Sequence, residues 1–310
     1  MPTACATASC VRVTRSRTPS RCASTPRRSA TGCWLTCRSR PSSIDSWPSM
    51  SPTGSAPMPS SARPFVSCLC PTYGRPECVE EVIESFLRQD YRGPMELVIL
   101  NDLADQTLIW SGDPRVRVVN VADRIVPLGK KFNETARLAQ GDVLFVWEDD
   151  DIYLPHRISY TIDRMRGQVW HTPIAWYEHR YDEIIPARNL FHANLAVHRD
   201  LFWSIGGYHE RDWAGIDTTL MADLNRRGPV SYEIPQRDAF YIYRFGTSGR
   251  AHASTFVNDG DRVSEIVEGI VEGELRSGSL ARGLIRLTAG YRRDYERAVH
   301  EALVRLDRGA

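Results

Sequence analysis

Four consecutive acids, Glu148-Asp149-Asp150-Asp151, stand directly after the apolar run Val143-Leu144-Phe145-Val146-Trp147. This junction limits the fold more than any other stretch of the chain. A short apolar run bounded by polar residues reads as a strand buried on both faces, and the acids then stand at its carboxyl end. Placed side by side they repel one another, a cost that a counter-charge must offset. Two more runs have the same form. Phe65-Val66-Ser67-Cys68-Leu69-Cys70 leads into Pro71-Thr72-Tyr73-Gly74-Arg75-Pro76, and Leu97-Val98-Ile99-Leu100 leads into Asn101-Asp102. Arg115 to Asn120 is a further strand. Between the strands lie helical stretches. Val79, Val82, Ile83, Phe86 and Leu87 form one stripe after Pro76, with Glu80, Glu81 and Glu84 off it near the N-terminal end, where the helix dipole favours acids. A second helical stretch covers 131–140. This alternation predicts an α/β fold with a largely parallel sheet in this half. Ligands of such sheets bind outside the carboxyl ends of the strands, where all three polar clusters fall.

Beyond Asp151 the pattern loosens. Helical stretches near 155–166 and 199–205 flank short strands at 173–178 and 192–198, and a further helix carries Ile216, Leu220 and Leu224 on one face. A strand from Phe240 to Phe245 precedes a Gly/Ser/Thr-rich loop, and 261–308 reads as mainly helical. At the other end, residues 1–63 are rich in Ser, Pro, Arg, Thr and Ala and hold nine arginines, no lysine and one acid, Asp45. Such a segment buries too little apolar surface to offset the entropy of ordering and is expected to be disordered. It reads either as a flexible tail or as sequence upstream of the true start, with Met50 and Met58 as alternative initiators. The expected division is therefore a tail over 1–63, an α/β domain over 64–255 and a helical extension over 256–310.

Charge and cysteine usage narrow the function. After residue 63 the chain holds 30 basic and 37 acidic residues, so no positive field invites nucleic acid. Five of the eight cysteines lie in the tail. There Cys33-x₃-Cys37 lacks the second ligand pair of a zinc site, while Cys68 and Cys70 read as small buried hydrophobes. A reducing cytoplasm is the expected compartment. No apolar stretch approaches the roughly 18 residues of a membrane span.

A divalent cation is a natural counter-charge for the acidic quartet, because Mg²⁺ and Mn²⁺ take carboxylate and phosphate oxygens together; a solvated acidic turn is the other reading. No G-x-G-x-x-G or Walker loop follows the first strand, so phosphates would be held by metal and side chains. The only lysines of the chain, Lys130 and Lys131, follow Pro127-Leu128-Gly129. They suit a diphosphate contact or, alternatively, a solvated pair at a helix start.

From Pro64 to about His252 the chain resembles family 2 of the inverting glycosyltransferases with a GT-A fold. The resemblance rests on Pro71 to Arg75 and Gln89, on Asn133 with Ala136, Ala139, Gly141 and Asp142, and on Glu148 to Asp151 with Pro155. Gly206-Gly207-Tyr208-His209-Glu210 and Gly215-Ile216-Asp217 complete it. Gly74, Asn101 and Ile216 depart from the usual Asn, Asp and Glu. The resemblance implies a GT-A fold with a mixed, mostly parallel central sheet flanked by helices, a nucleotide-diphosphate sugar donor, a hydroxyl acceptor (sugar, lipid-linked glycan or small molecule) and Mn²⁺ or Mg²⁺.

It also implies roles for single residues. Tyr73 would stack on or edge the base in a pocket shaped by Pro71 and Thr72, with Arg75 and Asn133 in the same donor-binding motifs. Asp102 would accept from base or ribose, Asp149 would contact the ribose or sugar, and Asp150 would bind the cation. Asp217 would be the base that deprotonates the acceptor; a helix N-cap before Thr218 and Thr219 is its other reading. His252 is a further candidate metal ligand or diphosphate contact. Arg244 borders the loop Gly246-Thr247-Ser248-Gly249, and Trp213 is placed to stack on a sugar face or to pack. His192 and His198 show no ligand spacing. Two other functions stay open: a GT-A module that binds without turnover, and a metal-dependent nucleotidyltransferase. The C-terminal helix, with Tyr295, Val299, Ala302 and Leu306 on one side and Arg292, Arg293, Arg297 and Arg305 elsewhere, either lies on an anionic membrane or packs on the protein.

Overall fold

Successive apolar side chains of the first strand, β1 (Val66–Thr72), point to opposite faces, and two helices cover those faces. Val66, Cys68 and Cys70 pack with Val79, Val82, Ile83 and Phe86 of α1 (Pro76–Leu87). Leu69 packs with Phe132 and Ala136 of α2 (Leu128–Leu138) on the other side. The same division continues in β2 (Met95–Asn101) and β5 (Val143–Val146), where Leu97, Ile99 and Phe145 join the first cluster and Val98, Leu144 and Val146 the second. The result is a helix–sheet–helix sandwich, as the continuous apolar runs require. The structure is a computed structural model that describes residues 63–165, 169–170, 176–178, 182–185, 192–211, 215–227, 234–244 and 263–309.

Between β2 and α2 lie β3 (Gln106–Ile109) and β4 (Val116–Asn120); after β5 come β6 (Ile152–Tyr153), α3 (Arg157–Arg164), β7 (Val169–Trp170), β8 (Trp176–Glu178) and β9 (Glu183–Ile185). A 3-10 turn at His192–Asn194 leads into β10 (Ala196–His198), α4 (Arg199–Ser204), α5 (Ile216–Asn225), β11 (Tyr241–Tyr243), α6 (Val263–Ser277), β12 (Gly283–Arg286) and α7 (Tyr295–Gly309). The main sheet has the order β4-β2-β1-β5-β10-β7. Its first four strands are parallel, and β10 runs antiparallel to both neighbours. A second sheet has the order β6-β11-β8-β9, and β12 pairs with β3 in parallel.

Register brings the polar clusters together. Thr72 lies opposite Asn101, and Asn101 opposite Asn120. On the other side of β1, Leu69 pairs with Val146, so the strand that ends in the acids stops beside the Thr72 turn. The second sheet then seizes the far end of the acidic run, pairing Ile152 with Ile242 and Tyr153 with Tyr241.

The C-terminal part, expected to be mainly helical, holds α6 and α7 and also a strand. Gly283–Arg286 is a strand, whose parallel pairing with β3 ties this part to Gln106–Ile109. Leu284 is 74% exposed there, so no buried periodicity marked the strand in the sequence. In α7, Tyr295, Ala298, Val299 and Ala302 enter the main core, whereas Leu306 stays exposed. Of its arginines, Arg297 pairs with Glu301, and Arg305 donates to the Asp182 carbonyl; Arg293, just before the helix, pairs with Asp182. Most of its apolar side is thus taken up by the protein. Among the described residues no helix is long and apolar enough to cross a membrane.

α6 covers the turn after β1. Val271 and Leu275 pack with Leu280, Leu103 and the half-buried Tyr73. Gly74 has φ +68°, and a Cβ there would sit 3.2 Å from both Val271 and Leu280. Glycine, like the asparagine it replaces in the resembled family, tolerates the left-handed region. Gly74→Ala is expected to cost about 1–2 kcal/mol from the backbone alone, read as a fall of a few degrees in the calorimetric melting temperature.

Candidate active site

The acidic run ends β5 at a place where two arginines, one part-buried and one buried, approach from different sides. Arg75, in the turn before α1, pairs with Asp149 and Asp150, each at 2.8 Å. Burial alone lowers Arg75, and the two aspartates more than reverse it, so it stays charged. Arg244, after β11, donates from Nε to the Asp150 carbonyl at 2.6 Å and from its main-chain N–H to Asp151 Oδ1 at 3.0 Å. Tyr241 donates its hydroxyl to Asp151 Oδ2 at 2.6 Å. Burial pushes the Glu148 and Asp149 carboxyls above their usual range, opposed by His192 at the first and by Arg75 at the second.

The acids themselves form a hard-oxygen cluster. One carboxylate oxygen from each of Glu148, Asp150 and Asp151 lies within 4.8 Å of the others. Such a donor set suits Mg²⁺ or Mn²⁺, and Glu148 leaves one side open, with 30% of its side-chain surface exposed. Asp149 Oδ2 and Thr72 Oγ1 are buried and, among the described residues, have no hydrogen bond of good geometry, although the Thr72 hydroxyl lies near enough to Asp149 to favour its ionised form. Polar atoms left so are costly unless something binds them.

At the ends of β1 and β2 the charges are already paired. Lys131 reaches Asp102 Oδ1 and the Thr72 carbonyl, each at 2.5 Å. Burial pushes its ammonium down to about 8, against the pull of Asp102. Arg124 donates to Asp102 Oδ2 at 2.6 Å, as does the Ile125 N–H at 2.8 Å. The Arg124 guanidinium also lies 3.7 Å from the Tyr73 ring centroid and 3.3 Å from Glu268 of α6. Asp102, expected to meet base or ribose, is enclosed, with 0% of its side chain exposed. A ligand reaches it only if Arg124 moves.

Helix geometry sends the two expected lysines in different directions. Consecutive helical residues point about 100° apart, so Lys131 enters the site while Lys130 stays exposed. Lys130 lines a separate cavity of about 280 Å³, beside Val121, Ile125 and Arg137.

Asn133, expected at the donor, braces a turn instead. Its amide donates to the Tyr208 carbonyl at 2.9 Å and to Glu210 at 3.2 Å, and accepts the Tyr208 N–H at 2.8 Å. Gly207 allows this approach: its φ is +71°, and a Cβ would stand 2.5 Å from Asn133 Oδ1. The braced Tyr208 stacks on Phe132 and shares a hydrogen bond with His192 Nε2. His192 Nδ1 lies 3.4 Å from Glu148. With its proton on Nδ1, the imidazole donates to Glu148 and accepts from Tyr208, satisfying both contacts.

Asp217 stands in the first turn of α5, whose N-cap is Gly215. The N-cap reading of Asp217 is thereby corrected, and its carboxylate accepts from the Thr218 N–H at 2.6 Å. Burial raises the Tyr208 phenol first, and the charges of Glu148 and Asp217 add to it. A line of neighbours thus leads from the acidic run through His192 and Tyr208 towards Asp217. Among the departures from the family pattern, Ile216 packs in the core and Asn101 needs its amide protons for the Gln106 carbonyl and Asn120. A carboxylate fits neither position. Trp213, His252 and the Gly246–Gly249 loop lie outside the described residues, as does the tail to residue 62.

Because Glu148 and Asp149 are raised, the folded chain keeps protons that the unfolded chain releases from about pH 4 upward. Stability contributed by these groups is present at low pH and falls as pH rises through the raised values. Urea unfolding across pH 4–8 is expected to show this decline, and Glu148→Gln with Asp149→Asn is expected to flatten it.

Residues 67–169 match the family model for glycosyl transferase family 2. WcaA of Escherichia coli (strain K12), named for glycosyl transfer in colanic acid biosynthesis, is 28% identical over 115 residues, which span 35% of this chain and 40% of WcaA. The match therefore spans under half of that relative's length. Among solved structures, S. aureus TarS 1–349 in complex with UDP is 15% identical with a TM-score of 0.46, covering 68% of this chain and 72% of that one. The mannosyltransferase PcManGT from Pyrobaculum calidifontis, in complex with GDP-Man and Mn²⁺, is 16% identical with a TM-score of 0.44, covering 82% and 81%. Residues 67–169 are thus similar to glycosyl transferase family 2, and the expected mixed, mostly parallel sheet flanked by helices is in place.

Proposed function

We propose that this chain transfers a sugar from a nucleoside-diphosphate sugar to an acceptor hydroxyl with inversion, using a divalent cation at residues 148–151 and Asp217 as the base. The observation that carries the reading is the clustering of Glu148, Asp150 and Asp151 at the same sheet edge as Thr72 and Asp102. When bound, the cation supplies Lewis-acid stabilisation to the departing diphosphate oxygens.

The chain's own residues have separable tasks. Asp149 and Thr72, buried beside the acidic cluster, offer their side-chain oxygens to donor hydroxyls. Tyr73 offers its ring to the base on the face where Arg124 now lies, and Arg124 then yields or stacks in turn. Asp217 accepts the proton of the acceptor hydroxyl while that oxygen attacks the anomeric carbon. The bond from that carbon to the diphosphate oxygen breaks, and its electron pair leaves with the nucleoside diphosphate. A single displacement of this kind inverts the anomeric centre. UDP bound to TarS and GDP-Man with Mn²⁺ bound to PcManGT illustrate donors of this class in those proteins.

The test separates base from binding site. Asp217→Asn is expected to lower kcat on the order of 10²–10⁴-fold while leaving the Mn²⁺-dependent thermal shift produced by the donor unchanged. Wild-type turnover by Asp217→Asn would remove the base assignment, and absence of any donor-induced shift in the wild-type chain would remove the donor.

A further inference from the structure

We infer that Arg244 is the positioning residue of the acidic loop, and that through it the C-terminal helix α7 sets the loop's affinity for a divalent cation. This rests on the reading of residues 148–151 as a cation clamp. Arg244 is 6% exposed and divides its donors between two groups. Towards the loop, its main-chain N–H holds Asp151 Oδ1 at 3.0 Å, Nε holds the Asp150 carbonyl at 2.6 Å, and a terminal nitrogen reaches the Asp149 carbonyl at 3.4 Å. Away from the loop, the other terminal nitrogen pairs with Glu81 of α1 and lies 3.5 Å from the Tyr295 hydroxyl.

Glu81 is itself buried and receives the Tyr295 hydroxyl and the Arg292 N–H, each at 3.0 Å. A continuous polar path therefore runs from the start of α7 through Glu81 and Arg244 to the main chain of residues 149–150. Arg244 holds the carbonyls of Asp149 and Asp150, while Arg75 takes their carboxylates. Its effect is to fix the backbone from which the candidate ligands project, so that they stay clustered against their mutual repulsion. Only a planar guanidinium reaches both groups at once; an ammonium on a flexible stem does not.

The experiment measures Mn²⁺ affinity of the full chain by titration calorimetry, alongside the melting temperature of each variant. Arg244→Lys is expected to weaken Mn²⁺ binding about 10–100-fold, the range found for residues that orient metal ligands. Tyr295→Phe removes one hydroxyl and is expected to weaken it by a smaller factor. Arg88→Ala, which breaks the exposed contact between α1 and Glu296 of α7, is expected to leave Mn²⁺ affinity unchanged. That contrast separates positioning of the loop from general attachment of α7. Wild-type Mn²⁺ affinity in Arg244→Lys and Tyr295→Phe overturns the inference while the clamp stands, and Tyr295→Phe alone decides if Arg244→Lys does not fold. A wild-type chain that binds no Mn²⁺ overturns the clamp and this inference together.

Discussion

Repulsion among four adjacent acids at the end of one strand is the constraint on which the rest of the structure depends. Two unit charges 4 Å apart repel by about 4 kcal/mol at the effective dielectric of a protein surface, so the run persists only if it is compensated. Arg75 takes two carboxylates directly, Arg244 holds the carbonyls, and Tyr241 donates to Asp151. These partners come from the first helix turn and from a strand in the second sheet. The acidic run thus links the main sheet, which the chain leaves at β5, to the second sheet, which it enters at β6 beside β11.

The same logic governs the neighbouring strand ends. Lys131 and Arg124 neutralise Asp102, and Arg124 also spans to Glu268 of α6. The charges at this surface are thus already paired, and the Arg124 guanidinium lies against the face of Tyr73. The carboxylate cluster and the buried Asp149 and Thr72 side chains stand beside this closed region. On the side towards Asp217, Asn133 braces the turn that carries Tyr208 and so keeps His192 between Tyr208 and Glu148.

Much of this was legible in the sequence because it is local. β1, β2 and β5 announced themselves as apolar runs ending in polar residues, and parallel pairing then brought those ends together without further information. The stripe of Val79, Val82, Ile83 and Phe86 fixed the buried face of α1. Partners distant in the chain were not legible. Glu81 reads as an off-stripe acid that suits the helix dipole, yet it is buried against Arg244, 163 residues away. Arg124 carries no motif, and His192 shows no ligand spacing; only the fold brings them to Asp102 and Glu148. The divergence of Lys130 and Lys131 was not legible for a related reason, since adjacency along the chain is divergence around a helix. β3 and β12 were missed because each is short and partly exposed, so that pairing rather than burial defines them.

The most direct test is anomalous diffraction at the manganese edge from crystals grown with Mn²⁺ and a nucleoside diphosphate. A peak within coordination distance of the Asp150 carboxylate, shared with Glu148 or Asp151 and with diphosphate oxygens, is the expected result. Diphosphate bound at this edge without such a peak, or a peak away from the acidic run, would contradict the account.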